Sequence, residues 1–321
     1  MASEDIDSTV PPVSSFVQSL SDAETLEALP PVADPVNRAP LNPPQRIQQK
    51  FVGSSYQAAY SEAERFVDRA FASWAEGDIQ TQRVLDFGSG WGRITRMLLR
   101  RLRADQIWSS DVDSEMTVLL HSTLPGVNAV TNSPWPPSVF RDESFDAVTA
   151  FSVFSHLSEE AHRQWAAEFA RVTHPGSKVF ITVLEDDFLG LIVGAQAAVA
   201  AGTPTPFDVN IAELIPDATR AQALARQGEF VYAGGGADDD GPRKRSFYSW
   251  AVAPRSWVET VWGEAGFTVM EWVPTGELFD QAMVVLQRRA PEPAAPGPGL
   301  LHRGARKIGR GLSKLRRRTG V

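Results

Sequence analysis

The sequence predicts a three-layer α/β fold built on a seven-stranded, mostly parallel mixed sheet. Three observations predict it. Between Arg83 and Leu184, short apolar runs alternate with segments of helical periodicity, the pattern of parallel βαβ units. The first run ends in a Gly-x-Gly-x-Gly turn that opens a helix, and acids stand at the ends of the first two runs. With 321 residues, 43% hydrophobic and 22% charged, the chain has ample material for a large buried core.

The elements follow in order. Residues 1–50 hold eight prolines and an acidic excess without sustained periodicity, so a disordered, acidic, Pro-rich arm is expected there. A helix is expected to begin near Ser61, which forms a capping-box pattern with Glu64 and precedes the apolar face Phe66, Ala70, Trp74. Arg83–Phe87 reads as the first strand, Arg93–Arg103 as a helix and Gln106–Asp111 as the second strand. Asp113–Ser122 reads as a helix capped by Asp113, and Val127–Val130 as the third strand. The fourth strand is expected at Phe145–Phe151 and a helix at Ser158–Thr173, stopped by His174-Pro175-Gly176. The fifth strand follows at Lys178–Leu184.

The rhythm then breaks. Residues 185–246 contain an apolar helix, a Pro-rich turn, a helix near Asp217–Gln227 and a loop with Asp238, Asp239 and Asp240. This segment reads as an insertion forming a lid over the sheet. A helix at Pro254–Ala265 and strands at Gly266–Val273 and Gln281–Gln287 complete the sheet, so the main domain is expected to span 51–290.

The formal net charge of −8 is an average of two unlike parts. Residues 291–321 carry eight Lys and Arg side chains and one acid, a net +7, which leaves −15 on the first 290 residues. So acidic a body counts against nucleic-acid binding, whose affinity comes from clustered cations on phosphates. After the prolines of 291–298, Leu301, Ala305, Ile308, Leu312 and Leu315 recur at helical spacing among Arg and Lys. A weak contact of residues 300–318 with an anionic membrane surface is the corresponding expectation.

Zero cysteines exclude disulfides, thiolate zinc sites and cysteine nucleophiles. The first residues carry Glu4, Asp5 and Asp7 where a secretory signal needs cations and an apolar run. The longest apolar stretch, Phe188 to Gly202, falls short of the about 20 residues of a membrane span. A soluble, cytoplasmic protein is expected, and its oligomeric state is not readable from these features.

The chemistry concentrates in Val84-Leu85-Asp86-Phe87-Gly88-Ser89-Gly90-Trp91-Gly92. Alternate glycines at a strand-to-helix turn let backbone approach a ligand closely. The dinucleotide fingerprint requires a third glycine where Arg93 stands, which disfavours NAD and FAD. Asp111 ends the next strand, where an acid of a nucleotide-binding α/β fold accepts hydrogen bonds from ribose hydroxyls.

In this order and spacing, Gln82–Leu184 resembles the class I S-adenosylmethionine-dependent methyltransferases, and Gly266–Gln287 is more loosely similar to their closing strands. Val84–Gly92 matches the family's first motif with its acid, Asp86, and Asp111 matches its ribose acid. Asp142–Val148 looks like the approach to its fourth strand, and Arg171-Val172-Thr173-His174-Pro175-Gly176 like its turn before the fifth. The resemblance implies a Rossmann-like fold and S-adenosyl-L-methionine as cofactor, held by Asp86, Gly88, Ser89, Gly90, Gly92, Asp111, Val112 and Asn132. Where many members place an acid for the adenine amino group, this chain has Asn132. Trp135 is nearby as a candidate to pack on the purine.

The implied reaction is methyl transfer, with O-methylation of a small molecule or of a sugar or glycan hydroxyl as the leading expectation. His156, just after the fourth strand, is the candidate general base. Asp186 is a second catalytic candidate, between Glu185 and Asp187 at the end of the fifth strand. Tyr232, Tyr248 and Trp250 are candidate acceptor-pocket walls, and Arg243, Lys244 and Arg245 a candidate substrate clamp. No resident metal is expected. The competing readings are a non-catalytic binding module of the same fold and a nucleic-acid methyltransferase. The latter rests on the tail and on Arg93, Arg96, Arg100, Arg101 and Arg103.

Overall fold

The apolar periodicities resolve into alternating strands and helices whose buried faces meet on a single sheet. A computed structural model describes residues 42–52, 55–74, 79–233 and 242–290. Chain contacts divide the protein into one unit of residues 1–290 and a second of 291–321. The described residues all belong to the first, so the expected basic tail and the loop acids Asp238, Asp239 and Asp240 lie outside them.

Two helices come first, α1 (Gln45–Val52) and α2 (Tyr56–Trp74). Residues 45–50, expected within the arm, are therefore helical, and residues 1–41 lie outside the described ones. Helix α2 starts five residues ahead of the expected Ser61, which is internal to it. Gln48 Oε1 accepts from the Tyr56 N–H at 2.8 Å and satisfies one of the orphan donors of the first turn. The apolar face Phe66, Ala70, Trp74 is buried as read from the sequence, and Ala59 and Ala63 extend it toward the helix start.

The sheet has strands β1 (Val84–Phe87), β2 (Ile107–Asp111), β3 (Asn128–Thr131), β4 (Phe145–Ala150) and β5 (Thr173–Val183). It is completed by β8 (Phe267–Val273) and β9 (Ala282–Arg288). Their order is β3-β2-β1-β4-β5-β9-β8, parallel except for β9, which is antiparallel to both its neighbours. The sheet is thus the predicted seven-stranded mixed one, and its strand order reverses between β1 and β4. In open α/β sheets a crevice forms at the carboxyl ends of the strands at such a switch point.

Helices α3 (Arg93–Leu98), α4 (Ser114–Thr123), α5 (Glu159–Val172) and α9 (Arg255–Glu264) join these strands. Helix α3 is shorter than expected, because the chain passes into turns after Leu98 and never reaches Arg103 as helix. The cap read from the sequence is formed, Asp113 accepting from the Glu115 N–H, and Ser158 caps α5 by accepting from the Ala161 N–H. Buried side chains make two large clusters, one containing Phe66, Trp91 and Leu98, the other Phe154, Trp165 and Trp262. A third, smaller cluster, with Leu189, Ile192 and Ala218, belongs to the insertion.

The insertion consists of α6 (Asp186–Ala200), α7 (Pro206–Ala212), α8 (Ala218–Arg226) and a two-stranded sheet of β6 (Val231–Ala233) with β7 (Trp250–Val252). Leu184 bridges to Val252 and Leu157 to Tyr248, which fastens the returning chain beside the ends of β4 and β5. No helix among the described residues is long and apolar enough to cross a membrane.

Candidate active site

The crevice at the switch point begins with the glycine turn after β1. Gly88 and Gly92 both take positive φ, 68° and 84°. A Cβ on Gly88 would stand 2.4 Å from Val153 Cγ2, and one on Gly92 would stand 2.3 Å from Leu120 Cδ2. Both positions are thus closed to larger residues by backbone and by packing. The Gly88 and Ser89 amides donate to the Ser110 carbonyl at 2.8 and 3.0 Å, pinning the turn to β2, and the Asn132 amide donates to the Asp111 carbonyl at 2.9 Å. From below, the buried Arg96 guanidinium donates to the carbonyls of Trp91 and Gly92, at 2.5 and 3.2 Å, and to Thr123 Oγ1 at 2.9 Å.

These contacts shape a cavity of about 120 Å³. Of the residues expected to hold a cofactor, Gly88, Ser89, Gly90, Asp111, Val112 and Asn132 line it. Asp111 is only 4% exposed. Its Oδ2 accepts from the Gly90 N–H at 2.8 Å and its Oδ1 from the Asp113 N–H at 2.9 Å. Burial pushes its carboxyl above the usual range, against the opposing pull of Arg243 and these amides. Asn132 is buried, and its side-chain N–H donates to the Ser133 carbonyl at 2.8 Å. Its Oδ1 has no partner. A buried unpartnered acceptor is costly, and Asn132 is one of the residues that line the cavity.

Two expected cofactor residues do not line the cavity. Asp86 is 1% exposed and lies beneath the turn, where Thr95 Oγ1 donates to Oδ2 at 2.5 Å and Thr149 Oγ1 to Oδ1 at 3.2 Å. Burial pushes its pKa up to about 6 despite those hydrogen bonds. The reason is orientation: the Asp86 side chain points into the layer between β1, β4 and α3 rather than along the strand. Gly92 turns its α-carbon toward Leu120 and serves helix packing.

His156 lines the cavity, half-buried between the rings of Tyr248 (centroids 4.9 Å apart, 20° between planes) and Trp250 (4.7 Å, 53°). Burial there lowers its pKa to about 4, with the Ser249 backbone opposing the shift and Arg243 adding to it. The imidazole is therefore neutral at physiological pH and presents a hydrogen-bonding edge rather than a charge. Asp186 is not in the cavity: its carboxylate pairs with Arg226 of α8 at 3.0 Å. Glu185 is likewise engaged, accepting from Trp272 Nε1 at 3.1 Å and from the Thr275 amide and hydroxyl at 2.9 and 3.0 Å. Among the described residues no group of three metal-ligating side chains converges.

The acceptor-wall expectations divide. Tyr248 lines the cavity, and burial raises its pKa to about 12. Trp250 supports His156 from behind and stacks on Phe188 at 5.1 Å. Tyr232 is turned away, donating to the Arg245 carbonyl at 2.7 Å. Trp135 packs against Phe247 at 6.1 Å and is absent from the cavity wall. Sequence reading missed Trp91, Phe151, Ser152 and Phe247, which also line it. Ser152 carried no pattern signal, yet it takes φ 56° at the exit of β4. There its amide donates to Thr182 Oγ1 at 2.7 Å and its hydroxyl accepts from Gln281 at 2.9 Å.

The arginines after the glycine turn are neutralised by this chain's own acids. Arg93 pairs with Glu62, Arg100 with Glu64 and Arg101 with Asp68, all acids of α2, while Arg103 pairs with Asp105. Arg96 is buried on loop carbonyls. The basic stripe is a seam between α2 and the α3 segment rather than a surface for phosphates.

Comparison with known proteins agrees with this geometry. Residues 84–176 match the family model described as a methyltransferase domain. That stretch runs from β1 into β5 and holds the glycine turn, Asp111, Asn132 and His156. Over that stretch the chain is similar to methyltransferase domains. An uncharacterized methyltransferase of Geobacillus kaustophilus is 26% identical over 129 residues. That match covers 39% of this chain and 56% of the relative, little more than half its length. Among solved structures, a S-adenosylmethionine-dependent methyltransferase from Clostridium acetobutylicum is 11% identical, with a TM-score of 0.48 over 76% of this chain and 97% of its own. An amino pentose methyltransferase of calicheamicin biosynthesis from Micromonospora echinaspora, solved with S-adenosylmethionine bound, is 16% identical. Its TM-score is 0.45, over 72% of this chain and 91% of its own.

Proposed function

We propose that this protein transfers a methyl group from S-adenosyl-L-methionine to an oxygen of a small-molecule or sugar or glycan acceptor. The observation that carries the reading is one cavity holding a glycine turn, a buried carboxylate at the end of β2 and the unpartnered Asn132 Oδ1. These donors and acceptors fit the group. Asp111 would take the ribose hydroxyls, Asn132 Oδ1 the adenine amino group, and the Gly88–Gly90 backbone would run alongside the amino-acid portion.

When bound, the cofactor supplies an electrophilic sulfonium methyl together with its own leaving group. What this chain contributes is alignment and exclusion of water. Trp91, Phe151, Phe247 and Tyr248 wall the cavity with apolar surface. His156, neutral and wedged between two rings, accepts a hydrogen bond from an acceptor hydroxyl and orients its lone pair. Held near pKa 4, it is a weak base, so its contribution is orientation first and proton acceptance second. Asp186, tied to Arg226, takes no part.

The test is a screen of hydroxyl acceptors, sugars included, with methyl-labelled cofactor, run with and without Mg²⁺. Label transfer to a hydroxyl is the expected result, without a requirement for Mg²⁺. Cofactor binding without transfer to any acceptor class would instead favour a binding module.

A further inference from the structure

Among the described residues of the insertion, Arg243 reaches into the nucleotide end of the crevice. Arg243 Nη2 stands 3.3 Å from Asp111 Oδ1, and Nη1 stands 3.3 Å from Asp113 Oδ2. Its guanidinium also lies 5.8 Å from the Tyr248 ring centre, and Tyr248 in turn stacks on His156. Arg243, Asp111, Tyr248 and His156 all line the same cavity.

A carboxylate offers about four acceptor sites. On Asp111, three are engaged, by the Gly90 amide, the Asp113 amide and Arg243. A ribose diol gripped by both hydroxyls needs two. Neither amide can withdraw, since one belongs to the glycine turn pinned on β2 and the other to the cap of α4. Only the arginine side chain can. Space points the same way, because the cavity of about 120 Å³ is well below the ~300 Å³ at which small-molecule sites begin.

We infer that Arg243 is a positioning residue displaced from Asp111 by the cofactor's ribose, so that occupancy of the nucleotide end resets Tyr248 and His156 at the acceptor end. The inference rests on the proposed cofactor reading. Its physical core is competition: Arg243 and the diol share one carboxylate oxygen, and the loser's neighbours move with it. Phe247 and Tyr248 donate their amides to the Lys244 carbonyl at 3.0 and 2.9 Å, so the turn that carries Arg243 also carries the two aromatic walls. The acceptor site is thereby completed only after the cofactor has entered, which favours an ordered sequence of binding.

The experiment is calorimetric titration of the full-length protein with S-adenosylhomocysteine, the unreactive product, in wild type, Arg243→Met, Arg243→Ala and Asp113→Asn. Met keeps an apolar stem against Tyr248, and Asn keeps the helix cap. Both Arg243 variants are expected to bind up to about fivefold more tightly than wild type, the scale of a partly exposed ion pair. Asp113→Asn should bind more tightly by a smaller factor. In wild type, S-adenosylhomocysteine should change hydrogen exchange at the amides of 244–250, and in Arg243→Met that change should shrink. A merely structural arginine would give the opposite sign, weaker binding on removal. Unchanged or weaker binding by the Arg243 variants, or exchange at 244–250 indifferent to the ligand, would overturn the inference while leaving the cofactor reading intact. Failure of wild type itself to bind would overturn both.

Discussion

The two ends of the crevice are built differently. At the nucleotide end, the Gly88–Gly92 turn, Asp111 and Asn132 sit where consecutive strands stop, and their contacts are backbone hydrogen bonds between β1, β2 and β3. At the acceptor end, His156 and Tyr248 come from segments some ninety residues apart and are held by ring stacking. The first end is fixed by topology, since any parallel sheet with this strand order brings those ends together. The second is fixed by side-chain packing of an insertion, which evolves and moves more freely.

The largest effect should come from the nucleotide end. Asp111→Ala removes the acceptor of two buried amides and of the ribose, and cofactor affinity measured by calorimetry should fall by about a hundredfold or more. A similar loss from mutations confined to the acceptor end, such as Trp250→Ala, would break the division. Next is Asp86, which accepts from the Thr95 and Thr149 hydroxyls beneath the turn: Asp86→Ala removes that shared acceptor and should cost about 1–3 kcal/mol in denaturant unfolding. Asp86→Asn, which restores a hydrogen-bonding partner for them, should cost less. If Asp86→Asn instead abolished cofactor binding in a fully folded protein, Asp86 would belong with Asp111 after all.

Acid sharpens the contrast from the acceptor side. His162, fully buried with Nε2 accepting from Trp262 Nε1 at 3.0 Å, is lowered by burial to about 3, and His156 to about 4. Both are neutral when folded but protonate near 6.5 when unfolded, so their stabilisation is complete above that pH and is lost as pH falls toward 4. Asp86, raised to about 6, acts in the opposite sense, favouring the folded state as pH falls from 6 to 4. Asp111, raised by burial as well, acts on the side of Asp86, and the two histidines, lowered to about 3 and about 4, outweigh them, so the melting temperature should drop between pH 7 and pH 5. His162→Gln should flatten that drop. For the same reason methyl transfer should show no limb near pH 6.5, because His156 keeps its neutral form down to about 4. A rate rising through 6.5 would point to a different base. The smallest effect belongs to Asp186→Asn, expected to leave transfer within about twofold because its partner is Arg226 at the protein surface.

All seven strands of the sheet, the cap Asp113 and the glycine turn were legible because each rests on a local pattern of two to five residues. Asn132 was legible as a cavity residue because the exit of β3 places it regardless of the rest of the chain. Asp86 was misread because its neighbours in sequence do not reveal which way a side chain at a strand end points. Asp186 was misread for a longer-range reason: Arg226, forty residues on, claims its carboxylate. The start of α2 at Tyr56 depends on Gln48, a cap supplied from the preceding helix rather than from the capping-box pattern at Ser61. Arg243 drew notice only as part of a charged run. Its partner Asp111 is 132 residues away in sequence, a pairing that no periodicity announces.

The central claim is that one crevice binds S-adenosylmethionine through Asp111 and not through the acids after β5. Calorimetric titration of wild type, Asp111→Ala and Asp186→Asn with that cofactor tests it most directly. Equal binding by wild type and Asp186→Asn, with none detectable for a folded Asp111→Ala, is the predicted result. No binding by wild type, or undiminished binding by Asp111→Ala, would contradict it.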